Sequence, residues 1–577
     1  MSDLSPDLLA AIRTMEVRGV GHLPVVSSFC NAIRLQEVVD GFVETRMSVS
    51  PGAVVQAMVL DTLSGRSPLY HVEDFMEGQD IELLLGRAYS SHDFSDTNIG
   101  RVMDAIFEAG PSNLLTEIAV SACRAFGIDC SRCSFDTTSV SVWGEYARYD
   151  AEPPDGVDQD ASAPRVTHGH SKDNRPELKQ VMAKLLCVER GIPIFGKAID
   201  GNSSDKRNNN RMLTRISSLM ARHGLGPGAF TYVADSAVVN EENLGLLKDI
   251  PFVTRLPGTY FECGRAIGEA VDSGSWTELG RLSELPSPAS RPCSSYRAWE
   301  GCVELYGTEY RAIVVHSDSH DRRMQKRLEK EVKASSDAIA RALRRQETEF
   351  FCRADAEKAA DALRKVSDGM HTVRAEVVEK VVRARGRASR DGRAPTRTKY
   401  FLETEVTRNE EGVRRAEQLA GCFVLLTNIP AGGDGAMSAK DVFLTYKGQY
   451  GVESNFAFLK DPLVVNDMFL KKAERIDVLG MVLIISLMIW RLIERSMRNH
   501  LANTGGTLVG LNRQPTRRPT AYAMSTKFMN VKIIVVGGTR MLANRIRDEV
   551  PEYLEALGLT TEVFTTPGYA CRPVLRK

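Results

Sequence analysis

The chain has 577 residues, of which 43% are hydrophobic and 26% are charged, so it can bury full hydrophobic cores and its length suggests three or four domains. Its 74 basic residues equal its 74 acidic residues, which excludes nucleic-acid binding through net charge alone. Any affinity for nucleic acid would have to come from local basic patches.

The first residues, MSDLSPDLLAAIRTMEV, contain no basic segment leading into an apolar one, so we expect a cytoplasmic protein. The longest apolar run, residues 478–490, is shorter than the ~20 residues that span a bilayer, and we interpret it as a buried core helix, with no membrane partner. Cys130 and Cys133 form a CxxC pattern. Without a second cysteine or histidine pair at metal-ligand spacing, this pattern is more often a strand-edge coincidence than a zinc site.

Residues 1–126 are predicted to form an all-helical N-terminal domain. One helix begins after the capping residue Ser50, has Pro51 in its first turn and ends at Gly65. A second short helix is predicted from Ser67. Two helices joined by a tight glycine turn can place one of them in a DNA groove, but the same pattern occurs in any helical domain.

Residues 127–257 are predicted to form a mixed sheet. The segment SFDTTSVSVWGEY alternates small or polar with apolar residues, which is typical of a strand, and two further strands are joined by a turn at Arg190 and Gly191. A helix over 208–223, the strand FTYVADSA, a helix capped by Asn240 and the strand PFVTRL follow. This β-β-β-α-β-α-β order is that of a ribonuclease-H-like sheet.

Residues 258–427 interrupt this order and are predicted to form a large α+β insertion. Apolar residues recur at helical spacing between 318 and 366, which indicates a charged helical hairpin. Two β-rich segments then flank a strongly basic loop. Residues 428–500 complete the core with a helical region, and the pattern of the tail, 501–577, indicates little.

Two aspartates of the predicted sheet are candidates for metal binding. Asp136 lies inside a strand, where a buried carboxylate without a partner is costly. Asp235 ends a strand, at the edge where sites of open α/β sheets gather, although it could merely cap the following turn. Phosphoryl transfer in DNA uses two divalent cations ~3.5–4 Å apart, which bind carboxylates.

A row of polar residues follows in TYKGQYGVESNFAFLKDPL, where Tyr446, Gln449, Glu453 and Lys460 are three, four and seven residues apart. In one continuous helix these side chains would fall within a band of about 60°. Such a row is usually a solvated polar face. The apolar run that follows instead favours a helix packed into a core, with one polar edge toward a cleft.

The same four residues match the spacing of Tyr, Arg, Glu and Lys in the YREK signature of a large group of prokaryotic insertion-sequence transposases. Gln449 stands in the arginine position, and glutamine brings no charge for a phosphate contact. The chain also resembles that group in its FDTTS and YVADS segments, in HGHSKDNRPELKQ between the first two strands, and in the long insertion before Glu453.

The resemblance implies a DDE transposase that cleaves DNA strands and transfers them to a target. Its fold would be α/β, with a ribonuclease-H-like mixed sheet and flanking helices, an all-α N-terminal domain and a large α+β insertion before the catalytic glutamate helix. Asp136, Asp235 and Glu453 would be catalytic and would hold two Mg²⁺ or Mn²⁺ ions. The expected partner is double-stranded DNA, both terminal inverted repeats and target, bound by a homodimer in the nucleoid.

Residues 1–126 would recognise the repeats. The candidate DNA contacts are Tyr446, Gln449 and Lys460 by resemblance, and Lys172, Arg175, Arg385, Arg387 and Arg390 by local positive charge. The basic loop that holds the last three could equally be solvated surface.

Other functions are compatible with parts of the sequence. The carboxylates do not distinguish a transposase from a metal-dependent nuclease of the same fold. A non-catalytic repressor or architectural protein derived from a transposase is a second alternative, against which the three acidic residues argue. A coiled-coil interaction protein built on residues 318–366 would leave the sheet unexplained.

Overall fold

The computed structural model describes residues 15–65, 71–142, 162–172, 174–226, 228–282, 294–346, 349–383, 396–460, 472–543 and 546–576. Two compact units make up the chain. The first consists of Met1–Thr254 and Asp441–Lys577, and the second of Arg255–Lys440.

The first unit begins with a short strand and a group of helices. These elements are β1 (Glu16–Gly19), α1 (Leu23–Ala32), α2 (Leu35–Phe42), α3 (Pro51–Ser64), α4 (Val72–Glu77), α5 (Ile81–Leu85), α6 (Asp96–Ala109) and α7 (Pro111–Phe126). The predicted signals around α3 are confirmed: the Ser50 hydroxyl accepts a hydrogen bond from the Ala53 N–H, and Gly65 ends the helix with φ of 115°. The helix predicted from Ser67 starts outside the described residues, and α4 follows it.

A mixed sheet follows the helices, in the predicted order. Its elements are β2 (Arg132–Val142), β3 (Lys179–Val188), β4 (Ile192–Ile199), α8 (Asp205–Arg222), β5 (Thr231–Ala234), α9 (Glu241–Leu246) and β6 (Phe252–Arg255). The strands lie in the order β4-β3-β2-β5-β6. β2, β3 and β4 form an antiparallel meander, whereas β5 runs parallel to β2 and β6 parallel to β5. The α/β, ribonuclease-H-like fold class is therefore confirmed.

Local signals explain the connections of this sheet. Arg190 and Gly191 have φ of 58° and 78°, as a tight turn between β3 and β4 requires. The Asn240 side chain caps α9 by accepting from the Asn243 N–H. α8 begins three residues before the predicted position, because Ser204 supplies its cap.

The second unit contains strands that the sequence pattern did not predict. Its first elements are α10 (Phe261–Ser273), β7 (Thr277–Arg281), β8 (Ser295–Leu305) and β9 (Thr308–Ser317). With β13 (Cys422–Thr427), the strands lie in the order β13-β9-β8-β7. Tyr306 and Gly307 turn the chain between β8 and β9 with φ of 51° and 73°. This geometry usually carries Asn-Gly or Asp-Gly, so Tyr-Gly gave no recognisable hairpin signal.

The rest of the second unit contains the predicted helices and β-hairpin. The elements are α11 (Asp318–Arg345), β10 (Glu349–Phe350), α12 (Arg353–Arg364), β11 (His371–Arg383), β12 (Thr396–Arg408) and α13 (Glu410–Leu419). Both α11 and α12 pack on β11, and their shared core contains Ile339, Ala360, Leu363, Val373 and Ala375. The predicted helical segment therefore forms two helices, and both of them pack on the β-hairpin. Arg385, Arg387 and Arg390 lie outside the described residues.

The chain then returns to the first unit through helices. They are α14 (Ala439–Lys447), α15 (Tyr450–Leu459) and α16 (Ala473–Thr504). α16 packs against β4 and against α1, α3, α6 and α7, as predicted for a core helix. At 32 residues it is longer than the apolar run suggested, and it is the one helix of the described segments whose length and mean hydropathy would allow it to cross a membrane; 83% of its most apolar 18-residue window is buried in the protein.

The last residues close the first unit. They form β14 (Leu508–Val509), β15 (Pro515–Thr516), α17 (Ala521–Phe528), β16 (Lys532–Val536), β17 (Thr539–Leu542) and α18 (Glu549–Ala556). β16 pairs with β1 from the start of the chain. The Cys571 N–H donates to the Ser28 carbonyl, and the Asn31 side chain donates to the Tyr569 carbonyl. The segment 501–577 is thus packed on the N-terminal helices.

Candidate active site

Two of the predicted acidic residues lie side by side at the centre of the sheet. The parallel register of β2 and β5 ends with Phe135 opposite Ala234, so the next residue on each strand is Asp136 and Asp235 respectively. Neighbouring strands are about 4.8 Å apart. The structure therefore brings these two carboxylates together, as the sequence predicted.

Asp235 also caps the turn that follows β5. One carboxylate oxygen accepts a hydrogen bond from the Ala237 N–H at 3.1 Å, and the Asp235 carbonyl accepts from the Thr254 hydroxyl at 2.8 Å. Metal binding and capping of the turn are thus compatible roles for Asp235, because one carboxylate oxygen accepts the capping hydrogen bond while the other can still bind a ligand. These contacts hold the carboxylate in one orientation beside Asp136.

The electrostatics of the pair are those of two acids in a partly buried site. Burial raises the pKa of Asp136 to about 7, the charge of Asp235 adds to this rise, and the Thr137 N–H opposes it. Burial, followed by the charge of Asp205, raises the pKa of Asp235. Neighbouring carboxylates that cannot all ionise comfortably form a site that favours a cation.

A third acid, Asp205, lies at this position and was not predicted from the sequence. Asp205, in the first turn of α8, hydrogen-bonds the Thr137 hydroxyl, and its carboxylate raises the pKa of Asp136 and Asp235. In the sequence, Asp205 is recognisable only as an aspartate that follows the capping residue Ser204. Such an aspartate normally stabilises the positive end of a helix dipole, so it gave no reason to expect a role in the site.

Lys172 is part of the same cluster. Its ammonium group donates to the Thr137 carbonyl at 2.8 Å and to the Thr137 hydroxyl at 3.2 Å, and it forms an ion pair with Asp205 at 3.2 Å. The sequence predicted this residue as a contact to the DNA backbone, and that role stays a prediction. The observed contacts place its charge beside the acids.

Glu453 does not join the cluster in the way the sequence predicted. The helix that carries it, α15, packs against β2, β3 and the turn between β3 and β4. The Asn455 amide donates to the Gly191 carbonyl at 2.6 Å, and Arg491 donates to the Asn455 side-chain oxygen at 2.8 Å. The Glu453 side chain is exposed, and it has no hydrogen-bond or ion-pair partner within the part of the chain that the structure describes.

The prediction of one continuous helix from Tyr446 to Lys460 is wrong. α14 ends at Lys447, and the Gln449 N–H bonds the Tyr446 carbonyl at 3.1 Å in a tighter turn before α15 begins. Gly448 lies in this turn, and glycine has a low helix propensity because its backbone is so free. The four side chains therefore do not form one face: Gln449 is buried, whereas Glu453 is exposed.

The remaining predicted contact residues are dispersed. Tyr446 and Lys460 are both partly buried, the first on α14 and the second directly after α15. Arg175 forms an ion pair with the nearby Glu177. The DNA-binding roles of these residues stay predictions.

The donor set fits a hard divalent cation. Asp136 and Asp235 offer carboxylate oxygens, the ligands that Mg²⁺ and Mn²⁺ prefer. Among the described residues, Asp136, Asp235 and Glu453 do not form a set whose ligand atoms all lie within 4.8 Å of one another. Asp136 and Asp235 are therefore brought together, whereas Glu453 stands apart from them on a helix packed against β2.

Comparison with known proteins gives one family. Residues 15–120, roughly a fifth of the chain, match the model of a domain of unknown function, DUF4277. This match covers β1 and the helices from α1 to α6, and it ends within α7, before the sheet. No curated protein matches the chain.

Proposed function

We propose that the chain is a DNA transposase of the DDE type, which cleaves DNA strands and joins them to a target with two Mg²⁺ or Mn²⁺ ions. The observation that carries the proposal is the adjacent placement of Asp136 and Asp235 on two parallel strands of a ribonuclease-H-like sheet. The family matched by residues 15–120 is a domain of unknown function, so the proposal rests on the sheet and on the sequence resemblance.

The acids of the chain would hold the metal ions. Asp136 would do so from the middle of β2 and Asp235 from the end of β5, with Glu453 as the proposed third ligand. Bound in pairs, such ions activate the attacking oxygen and stabilise the leaving oxygen of a phosphodiester. Ionisation of Asp136 is disfavoured by burial, so a cation that compensates its charge should bind most tightly above pH 7.

Lys172 and Asp205 would position the acids rather than contact the reacting atoms. Lys172 bonds the backbone of β2 one residue after Asp136, and Asp205 bonds the side chain of that same residue, Thr137. Together they connect the segment before β3 and the start of α8 to the strand that carries the first acid. This arrangement fixes β2 at the site and keeps a positive charge beside it.

DNA would be bound outside the acids. Tyr446 and Lys460 are proposed to contact phosphates near the scissile bond. Arg175 is proposed to contact the DNA backbone, and Arg385, Arg387 and Arg390 to neutralise further phosphates. Terminal repeats would be recognised by residues 1–126, and two copies of the chain would bring two ends together. Repeated phosphate contacts predict steep salt dependence of binding.

The decisive experiment uses the full chain and a labelled DNA fragment that carries the ends of the element encoding it. With Mg²⁺ or Mn²⁺, we expect nicks at the ends and joining of the freed 3′ ends to a second DNA. Asp136→Asn and Asp235→Asn should each lower cleavage by about 10³-fold or more, because each removes a metal carboxylate, while binding to the ends is retained.

Asp249→Asn is the matched control, since Asp249 is an exposed aspartate of the same unit outside the site. Cleavage without joining would indicate the nuclease instead. Binding without cleavage by the unaltered chain would indicate the repressor.

A further inference from the structure

A second cluster of ligating side chains lies beside the start of β2, the strand that carries Asp136. Cys123 is near the end of α7, Cys130 is in the segment between α7 and β2, and His223 follows the last residue of α8. Their ligand atoms all lie within 4.8 Å of one another, and among the described residues this is the one group of three or more such donors.

The separation of the two sulfurs suits a shared metal. Cys123 Sγ and Cys130 Sγ are 3.6 Å apart. Zn²⁺ binds thiolates at about 2.3 Å in a tetrahedron, which places two sulfurs on one ion about 3.8 Å apart. The observed distance is thus close to that of two ligands of one zinc ion, and much longer than the ~2.05 Å of a disulfide bond.

His223 lacks the partners that a buried imidazole normally has. Neither ring nitrogen is accessible to solvent, and neither makes a hydrogen bond of normal geometry within the described segments. Leaving buried polar groups without a partner is unfavourable. A metal bound to one nitrogen would satisfy it, whereas a disulfide between the cysteines would leave both without a partner.

Cys130 lies beside both other donors, and it would bind a metal as a thiolate. Thiolates, not thiols, bind zinc. The cluster borders a cavity of about 420 Å³ that is also lined by Asp129 and Ser131, so there is room for a fourth ligand, either water or the Asp129 carboxylate.

We propose that Cys123, Cys130 and His223 bind one Zn²⁺ ion that fastens the last turn of α7 to the start of β2 and the end of α8. Cys133, the second cysteine of the CxxC pattern, is not part of the site: it is fully buried on β2, and its Sγ contacts the Thr231 carbonyl at 3.6 Å. Soft sulfur and imidazole donors select zinc over Mg²⁺, so this centre would be distinct in metal and in role from the acids.

The test measures metal in the full chain, produced without a histidine tag and kept reduced. We expect about one zinc per chain by mass spectrometry, and less than about a fifth of that in Cys123→Ser, Cys130→Ser and His223→Gln. Substitution with Co²⁺ should give the visible absorption of a tetrahedral thiolate complex, which the variants should lose. Cys352→Ser, an exposed cysteine outside the cluster, is the control and should keep the metal.

Zinc-free wild-type protein that also fails to take up added zinc would overturn the proposal. So would a Cys130→Ser protein with unchanged zinc content. A thiol count two below the eleven cysteines, in the absence of metal, would identify a disulfide instead. If the variants do not fold, the wild type is treated with a chelator. Zinc release is measured by dye absorbance, and folding is monitored by circular dichroism. Release of about one zinc per chain supports the proposal, and absence of release contradicts it.

Discussion

The strand β2 connects two centres of opposite chemistry. Just before its first residue lies a sulfur and imidazole cluster built from Cys123, Cys130 and His223, and at its fifth residue lies Asp136, the first acid of an oxygen cluster. The sulfur cluster joins ends of three elements, as suits a structural ion. The oxygen cluster lies at neighbouring positions of two parallel strands, as suits a site of reaction. If both proposals hold, donor type separates a stabilising role from a catalytic one within a few residues.

The largest expected difference between the oxygen cluster and the sulfur cluster concerns Glu453, the proposed third ligand of the metal ions. If its carboxylate completes the oxygen cluster, Glu453→Gln should lower DNA cleavage by about 10²–10³-fold and leave the zinc content unchanged. The measurement is single-turnover cleavage beside metal analysis. Glu241→Gln is the matched control, because Glu241 is also an exposed glutamate in the first turn of a short helix. Equal rates for the two variants would remove Glu453 from the site.

The second effect concerns the sulfur cluster. Cys130→Ser should lower the apparent Tm by an amount on the order of 5 °C, because zinc binds the folded chain and stabilises it. The folded fraction should still cleave DNA. Differential scanning fluorimetry with and without a chelator measures the first quantity, and cleavage corrected for folded protein measures the second. Loss of cleavage in fully folded protein would mean that the two centres are not independent.

The third effect is a pH dependence of stability. The pKa of Asp136 is raised to about 7 in the folded chain from an ordinary value of 3.8, so the folded state holds the proton more tightly. The contribution of this proton to the free energy of unfolding is fully present below pH 4 and is lost as the pH rises through 7. It amounts to at most about 4 kcal/mol, and partial exposure of the carboxyl reduces it.

In metal-free protein, the Tm advantage of Asp136→Asn over the wild type should therefore grow between pH 5 and pH 8. Thermal melts across this range measure it, with Asp249→Asn as the control. Millimolar Mg²⁺ should reduce the difference at pH 8, since a bound cation replaces the proton. A difference that is constant with pH contradicts the assigned electrostatics.

The smallest effect concerns Asp205. Its charge is among the weaker causes that raise the pKa of Asp136, so Asp205→Asn should shift the midpoint of the pH–rate profile downward by less than about one unit. Cleavage rates between pH 5 and 9 measure the shift. An upward shift would show that Asp205 acts mainly by holding Lys172 and Thr137 in position, and less through its charge.

The two clusters also differ in how far the sequence could predict them. Asp136 and Asp235 were found because each lies in a recognisable strand, and the sheet order places those strands side by side. Cys123, Cys130 and His223 were missed because they come from three elements, and His223 is 93 residues away from Cys130 in the chain. No local spacing shows such a convergence, and the conspicuous CxxC pattern of Cys130 and Cys133 contains only one of the three residues.

The same distinction explains the outcome for the fold. The capped helix α3 and the meander of β2, β3 and β4 were predicted because caps, turns and alternation are local. The β8–β9 hairpin was missed because its Tyr306-Gly307 turn has an uncommon sequence. The prediction of a continuous helix through Gln449 was wrong although the helical spacing of polar residues continues across Gly448. Packing of α15 against the turn at Gly191 favours a break there.

The pairing of β1 with β16 bears on how the chain is made. The partner of Glu16–Gly19 is synthesised more than 500 residues later, so the helices of the matched segment 15–120 leave the ribosome long before their edge strand can pair. Until then β1 is an open strand edge, to which other chains can add. A fragment ending near residue 126 should therefore self-associate, and adding a peptide that contains β16 and β17 should reduce that association.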